Sequence, residues 1–445
     1  VRRLGVLLVA YFLLGIAVLI GNGNLSGLPF AMASAVLLAI AIKRRGNPGT
    51  QHLPWLVVLS ATVVVADTPE PRLLIPLAIA QGLIGVAAYV RPELGGRATL
   101  AASVGLYAVA GTLVITSAPV PHIDVFELQQ LGARDFEAGH DPYASLFPNP
   151  YSKTDTRAFF GDDRAQLREY PYPPLSLLAT GLSHRITGDV RWALLAAQLG
   201  IGVLLFALAR GGGHGTAFAT GLVSLHFLQL RAFFMLENAW TDSLIACAFL
   251  AVLLAIQRRR WPWLATALAI FLGFKQYCVI ALPLLLRDGR VPRRTWIQGL
   301  VGAVVVALPF FVWGPGDFVN DVILFQLRQP FRTEAMSIPA FLFQHTGWQA
   351  PGAVAMVGAA LAMAFAWKEL GPPSPPSLLP AAAALVYSCF FLFAKQAFCN
   401  YYYFDGVLIL GAIALLAPEE KEKAAAEGTA SQETPAPSEP VKSSR

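Results

Sequence analysis

The chain has 445 residues, 56% of them hydrophobic and only 13% charged, with a formal net charge of +6. Soluble domains carry about 25% charged residues, so this composition excludes an ordinary water-soluble enzyme and predicts an all-α polytopic membrane protein. The basic residues lie in short stretches between apolar runs, so no nucleic-acid partner is expected. Cys247, Cys278, Cys389 and Cys399 show no CxxC spacing and lie mostly in apolar runs. They read as small core residues, with no disulfide framework and no metal site.

A helix needs about 20 apolar residues to cross the hydrocarbon core. Before residue 117 the candidate spans are 4–20, 27–42, 53–66, 72–90 and 98–116. The first carries no cleavage-site pattern and reads as a retained span, not a signal peptide. After residue 172 they are 191–209, 216–232, 239–256, 261–274, 276–286, 296–314, 351–367, 377–394 and 401–417. The pair 261–274 and 276–286 is short, as expected of broken helices that line a protein cavity. The apolar stretch 173–186 is expected as a short or re-entrant helix. The whole predicts 13–15 spans in three parts: an N-terminal five-span bundle (1–116), a large extracytoplasmic loop (117–172) and a C-terminal bundle (173–417). A charged low-complexity tail, 418–445, is expected to be disordered and cytoplasmic.

Lys/Arg-rich short loops mark the cytoplasmic side. Arg2–Arg3, Lys43–Arg45, Arg258–Arg260 and Arg287–Arg294 therefore place both termini in the cytoplasm and the loop outside. The loop itself holds nine acids against five bases.

The loop is where polar chemistry concentrates. Asp124 follows an apolar span directly, which puts a carboxylate at the membrane surface. It reads equally as a helix N-cap ahead of Val125–Leu131, with Glu127 completing a box-like cap, and as a general base; the two roles are compatible. Asp141 is the reserve carboxylate. Gly139 and Pro142, in Gly-His-Asp-Pro-Tyr, are expected to stop the helix that begins near 125. Tyr143 reads as a sugar-stacking or interfacial residue, and Tyr170 and Tyr172 fit an interfacial belt. Pro173 and Pro174 suit the first turn of a helix, where no amide donor is required.

In this order, Asp124, Gly139-x-Asp141-Pro142-Tyr143 and Tyr170-x-Tyr172-Pro173-Pro174 resemble the GT-C superfamily of integral-membrane glycosyltransferases. The pattern is most like the polyprenyl-phosphate-mannose-dependent type, glycosyltransferase family 87-like. Phe274–Tyr277, FKQY, is similar to a further family pattern with a lysine at the outer end of a short span. The resemblance covers about sixty residues. It implies a multi-span fold, a catalytic Asp124 in the first large external loop, and transfer of a hexose, mannose in this type, from a polyprenyl-phosphate donor. The acceptor would be a hydroxyl of a glycan or glycolipid; transfer would invert the sugar and need no metal or other cofactor. It further implies a multi-pass protein of a bacterial plasma (inner) membrane acting in the cell envelope. Two features differ from the family: the loop follows the fifth span instead of the first, and Val125 stands where some subgroups carry a second acid.

Transfer from a lipid phosphate also needs cations to stabilise the leaving phosphate and an apolar groove for the lipid tail. The outer-side cations beyond the loop are Arg231, Lys275, Arg328, Arg332 and Lys395. Lys275 and Lys395 each sit in a Lys-Gln pair beside aromatics; snorkelling explains either one alone. Arg328 and Arg332, with His345 downstream, suit bidentate phosphate binding or a solvated amphipathic loop. The donor-phosphate candidates are therefore Lys275, Arg328, Arg332, Lys395 and His345. Glu237, Asn238 and Asp242 read first as helix caps and second as binders of an acceptor hydroxyl. The competing function is a transporter or flippase of lipid-linked glycans. Such a protein is expected to show internal repeats and mid-span charges.

Overall fold

The computed structural model describes residues 3–21, 24–43, 56–61, 74–94, 96–371 and 374–418. The expected span 53–66 lies largely outside these residues, with 56–61 helical. Arg2, Arg44, Arg45 and the tail beyond 418 lie outside them too.

Among the described residues, the helices before the loop, besides the helical 56–61, are α1 (Arg3–Ile20), α2 (Leu28–Lys43), α3 (Leu74–Val90) and α4 (Arg97–Ser117). The loop contributes α5 (Asp124–Glu137) and α6 (Lys153–Phe160). Then follow α7 (Pro174–Thr187), α8 (Arg191–Gly212), α9 (Thr216–Phe227), α10 (Ala232–Glu237), α11 (Asp242–Gln257), α12 (Trp261–Phe274), α13 (Leu282–Arg287) and α14 (Arg293–Trp313). Short pieces α15 (Pro315–Val319), α16 (Phe325–Arg328) and α17 (Ile338–Thr346) lead to α18 (Ala353–Glu369), α19 (Leu378–Leu392) and α20 (Cys399–Ala414). The sole sheet among the described residues is a two-residue antiparallel pairing, Phe147 opposite Leu167 and Pro148 opposite Gln166.

Among the described residues, four helices, α1, α4, α8 and α14, are long and apolar enough to cross a membrane by length and composition. Several shorter apolar helices pack among them. Helix α14 leaves Ile297, Val304 and Val312 each more than 60% exposed. In water such a face would be unstable; it suits contact with lipid. Within the bundle, contact is close where side chains are small. A Cβ on Gly111 would meet Leu195 Cδ1 at 2.3 Å, and one on Gly202 would meet Phe227 Cζ at 2.5 Å.

Two expected spans are shorter than the apolar runs suggested. The run 216–232 leaves the helix after Phe227, and the run 239–256 becomes helical only at Asp242. Between them Arg231 and Ala239 take positive φ (64° and 57°). The broken backbone is bonded from neighbouring helices: Gln198 Nε2 donates to Ala232 O at 3.1 Å. Gln229, within the break, returns a bond to Tyr403 O at 2.8 Å. Irregular backbone at this depth is tolerable when such donors are supplied. The stretch 173–186 forms α7, with Pro173 at the N-cap and Pro174 in the first turn. Its 14 residues reach roughly 21 Å at about 1.5 Å per residue, short of the roughly 30 Å hydrocarbon core. It lies against α5 and α8.

The loop has its own core. Tyr143, Phe147, Leu167 and Tyr170 are buried there with Phe310 and Phe318 from the far side of the chain. Gly132 of α5 faces the Tyr170 ring so closely that a Cβ would sit 2.5 Å from Cε2.

Arg191, at the head of α8, ties the loop to the bundle. Its side chain is fully buried. Nε and Nη2 donate to the Asp189 carboxylate at 3.0 and 2.6 Å. Nη1 reaches Ala118 O at 2.7 Å and Nη2 reaches Ile115 O at 3.1 Å. Both carbonyls end α4, where helical partners have run out. Arg191→Met fills the volume but strands these acceptors. We expect a loss of about 3–5 kcal/mol, read as a lower unfolding midpoint of the detergent-solubilised protein. An unchanged midpoint would contradict this role.

Candidate functional site

Where the loop meets the bundle, a cavity of about 880 Å³ opens. Asp124, Tyr151, Phe159, Phe160, Glu169 and Tyr172 line it from the loop side; Asp242, Lys275, Gln276, Tyr277, Asn400 and Tyr401 line it from the bundle. Arg332, Glu334, Lys395 and Gln396 close a third side. Apolar wall is supplied by Val279, Ile280, Leu327, Met356 and Phe390. Val279, Leu327 and Met356 are themselves exposed, so this wall continues to the outer surface of the molecule.

Asp124 is the first residue of α5, and the N-cap position is taken by Ile123 with no side-chain capping bond. The box-like cap with Glu127 is therefore replaced by a different arrangement. Asp124 Oδ1 accepts the Val125 amide at 2.8 Å and the Tyr151 hydroxyl at 2.8 Å. Burial pushes this carboxyl above its ordinary value; the Tyr151 bond and the nearby Arg332 charge oppose that push.

The three cations at the cavity differ in what they hold. Lys275 sits where α12 breaks, in extended backbone (φ −155°, ψ 146°) before a 3₁₀ turn, Gln276–Ala281. Its ammonium lies 3.0 Å from Asp242 Oδ1 and over the Tyr277 and Tyr401 rings. Asp242 also accepts Tyr277 Oη at 2.6 Å and Asn400 Nδ2 at 2.7 Å. This carboxylate, whose side chain is 1% exposed, is a fully bonded counter-charge, not the helix cap that its position in sequence suggested. Arg332 is paired with Glu334 and lies over the Phe159 ring at 4.1 Å and the Phe398 ring at 5.0 Å. Lys395 bonds only to backbone oxygens, Leu327 O at 3.0 Å and Gln329 O at 2.5 Å. Partial burial holds its ammonium below its ordinary value. Among the described residues lining the cavity it is the cation with no carboxylate partner.

The remaining candidates lie elsewhere. Arg328 bonds Asn320 Oδ1 at 3.1 Å and does not line the cavity. His345 packs at a tilt against the Phe341 ring and bonds the Phe341 carbonyl at 2.8 Å within α17, exposed and outside the cavity lining. Asp141 accepts the Tyr143 amide at 3.0 Å, outside the cavity. Gly139 ends α5 with φ 80°, the backbone a helix stop needs, and the buried Pro142 follows in the turn. Tyr143 is neither a sugar platform nor an interfacial anchor. It is 2% exposed and donates to Tyr172 O at 2.8 Å, with ring contacts to Tyr170 and Phe318. Tyr170 is likewise buried, and its amide donates to Asp321 at 2.7 Å. The Asp321 carboxyl, out of solvent, is pushed up to about 7. Of Tyr143, Tyr170 and Tyr172, only Tyr172 reaches the cavity. Tyr151 and Asp242, both central here, carry no motif that marks them.

Among the described residues no group of three or more His, Cys, Asp or Glu is placed to hold a metal ion. No protein-family description, curated protein or solved structure matches this chain.

Proposed function

We propose that the chain is a GT-C-type membrane glycosyltransferase. It moves a hexose, mannose by the sequence resemblance, from a polyprenyl-phosphate donor to a hydroxyl of a glycan or glycolipid acceptor. The apolar helices would form a bundle of 13–15 spans in a bacterial plasma membrane, with both termini cytoplasmic and the cavity open to the outer side.

The observation that carries this reading is the composition of one cavity. A carboxylate, a lysine with no carboxylate partner, an arginine and an apolar wall running to the outer surface line the same space. These are the elements that transfer from a lipid phosphate requires. Asp124 accepts the proton of the acceptor hydroxyl as its oxygen attacks the anomeric carbon. The bond from that carbon to the phosphate oxygen breaks, and its electron pair leaves with the phosphate. Lys395 and Arg332 meet the charge that develops on the leaving group, and the configuration at the anomeric carbon inverts. Lys275, already neutralised by Asp242, shapes the wall and contributes less to the phosphate.

The test is turnover. Purified protein in detergent with chelator, given a radiolabelled polyprenyl-phosphate hexose and a hydroxyl acceptor, is expected to release polyprenyl phosphate in step with glycosylated acceptor. Absence of release across hexose donors would overturn the reading.

A further inference from the structure

Asp124 has two oxygens in different surroundings. Oδ1 carries both of the carboxylate's recorded hydrogen bonds, from Val125 N and Tyr151 Oη, each 2.8 Å. The Asp124 amide in turn donates to Tyr151 Oη at 3.2 Å, so the phenol is clasped by the residue it bonds. Oδ2 takes neither of these bonds, and Asp124 lines the cavity. The tyrosine is held firmly. Asn149 Oδ1 accepts the Tyr151 amide at 3.1 Å, and the next residue, Ser152, caps α6 through the Asp155 amide at 3.2 Å. The ring packs edge-on to Phe159 at 4.9 Å and His122 at 6.4 Å. The loop thus holds the backbone and ring of Tyr151, while its hydroxyl is engaged by Asp124.

We propose that Tyr151 is a positioning residue for Asp124: by occupying Oδ1 it fixes the carboxylate rotamer and presents Oδ2 as the basic atom. This rests on the glycosyltransferase reading for its catalytic meaning, though the coupling itself is a property of the two side chains. A base must be ionised to act, and burial works against ionisation. The hydrogen bond from Tyr151 is the largest influence in the other direction, ahead of Arg332. Of the other titratable groups around the cavity, Tyr172 before α7 feels the Asp124 charge, His122 stands beside Tyr151, Glu334 is bonded to Arg332, Lys275 and Tyr277 are bonded to Asp242, and Glu169, Lys395 and Tyr401 complete the lining. None of them is bonded to the Tyr151 hydroxyl, whose hydrogen bonds are with Asp124. The same loop segment also lays Phe159 on Arg332, so seating of 151–160 organises a carboxylate and a cation together.

The experiment compares Tyr151→Phe with the unmodified protein by infrared titration of Asp124, isolated as the difference from Asp124→Asn, and by the pH dependence of transfer. Losing one hydrogen bond to the charged form should move the Asp124 titration upward by about one pH unit. The acid limb of the rate profile should move with it, about tenfold in rate below the midpoint, with recovery at higher pH. Thr156→Val, which loosens the same turn but spares the hydroxyl, should leave the titration where it was. An unshifted titration in Tyr151→Phe, or an equal shift in Thr156→Val, overturns the proposal. Full transfer by Asp124→Asn would instead overturn the catalytic reading, while the infrared shift would still decide the coupling.

Discussion

Asp124→Asn is expected to lower the maximal rate of sugar transfer by about 10²–10⁴-fold with little change in donor affinity. Asparagine keeps the volume and can still accept from Val125 and Tyr151 through its single oxygen. What it loses is the second oxygen, which takes neither of those bonds and which an amide nitrogen replaces with a donor. The acceptor hydroxyl then has no group to receive its proton, and the defect falls on the chemical step. The measurement is transfer rate at saturating donor in protein shown to be folded. Near-normal rate would remove Asp124 from the mechanism. Asp141, the other loop carboxylate singled out in sequence, lies outside the cavity. Glu169 and Glu334 would then be the cavity carboxylates to examine.

Neutralising the phosphate side should be nearly as costly. Lys395→Gln and Arg332→Gln are each expected to reduce the maximal rate by about 10²–10³-fold. Fixed cations act most on charge that appears only as the glycosidic bond breaks. Lys395 should show the larger effect, because no carboxylate offsets its charge, whereas Glu334 offsets Arg332. Arg332→Lys keeps the charge but loses the planar contact with Phe159 and Phe398, so a partial defect is expected. Lys275→Gln should behave differently. It strips Asp242 of its charged partner in a buried pair, a change worth about 3–5 kcal/mol of stability, and the effect should register in unfolding more than in rate. Full rate in both Lys395→Gln and Arg332→Gln would place the phosphate elsewhere.

The parts of this molecule that were legible in sequence are those set by local composition. The apolar runs gave the helices, and the short pair 261–274 and 276–286 marked the break that puts Lys275 in the cavity wall. Asp124 stood out because it follows a span directly. The misread residues were those whose roles depend on distant partners. Tyr143 and Tyr170 look like surface aromatics, but Phe310 and Phe318, more than a hundred residues on, cover them. Asp242 looks like a cap until Lys275 and Asn400 are folded onto it. Arg191 opens an apolar run and gives no hint that the ends of α4 and the loop converge on it. Tyr151 lies in a polar stretch with no periodicity, 27 residues from its partner Asp124. Arg328 and His345 matched the required chemistry by type and lay near Arg332 in sequence, but neither lines the cavity that Arg332 does.

The central claim, that this chain breaks a sugar–phosphate bond and does not merely move a lipid-linked glycan, is tested most directly in proteoliposomes. The donor would be polyprenyl phosphate carrying a radiolabelled hexose, supplied with a membrane-impermeant hydroxyl acceptor on the side where an Ala144→Cys variant, exposed on the loop, reacts with an impermeant thiol reagent. The account predicts labelled acceptor on that side only, equimolar free polyprenyl phosphate, and neither product from Asp124→Asn vesicles. Donor that crosses the bilayer with its sugar still attached, and no labelled acceptor, would contradict it.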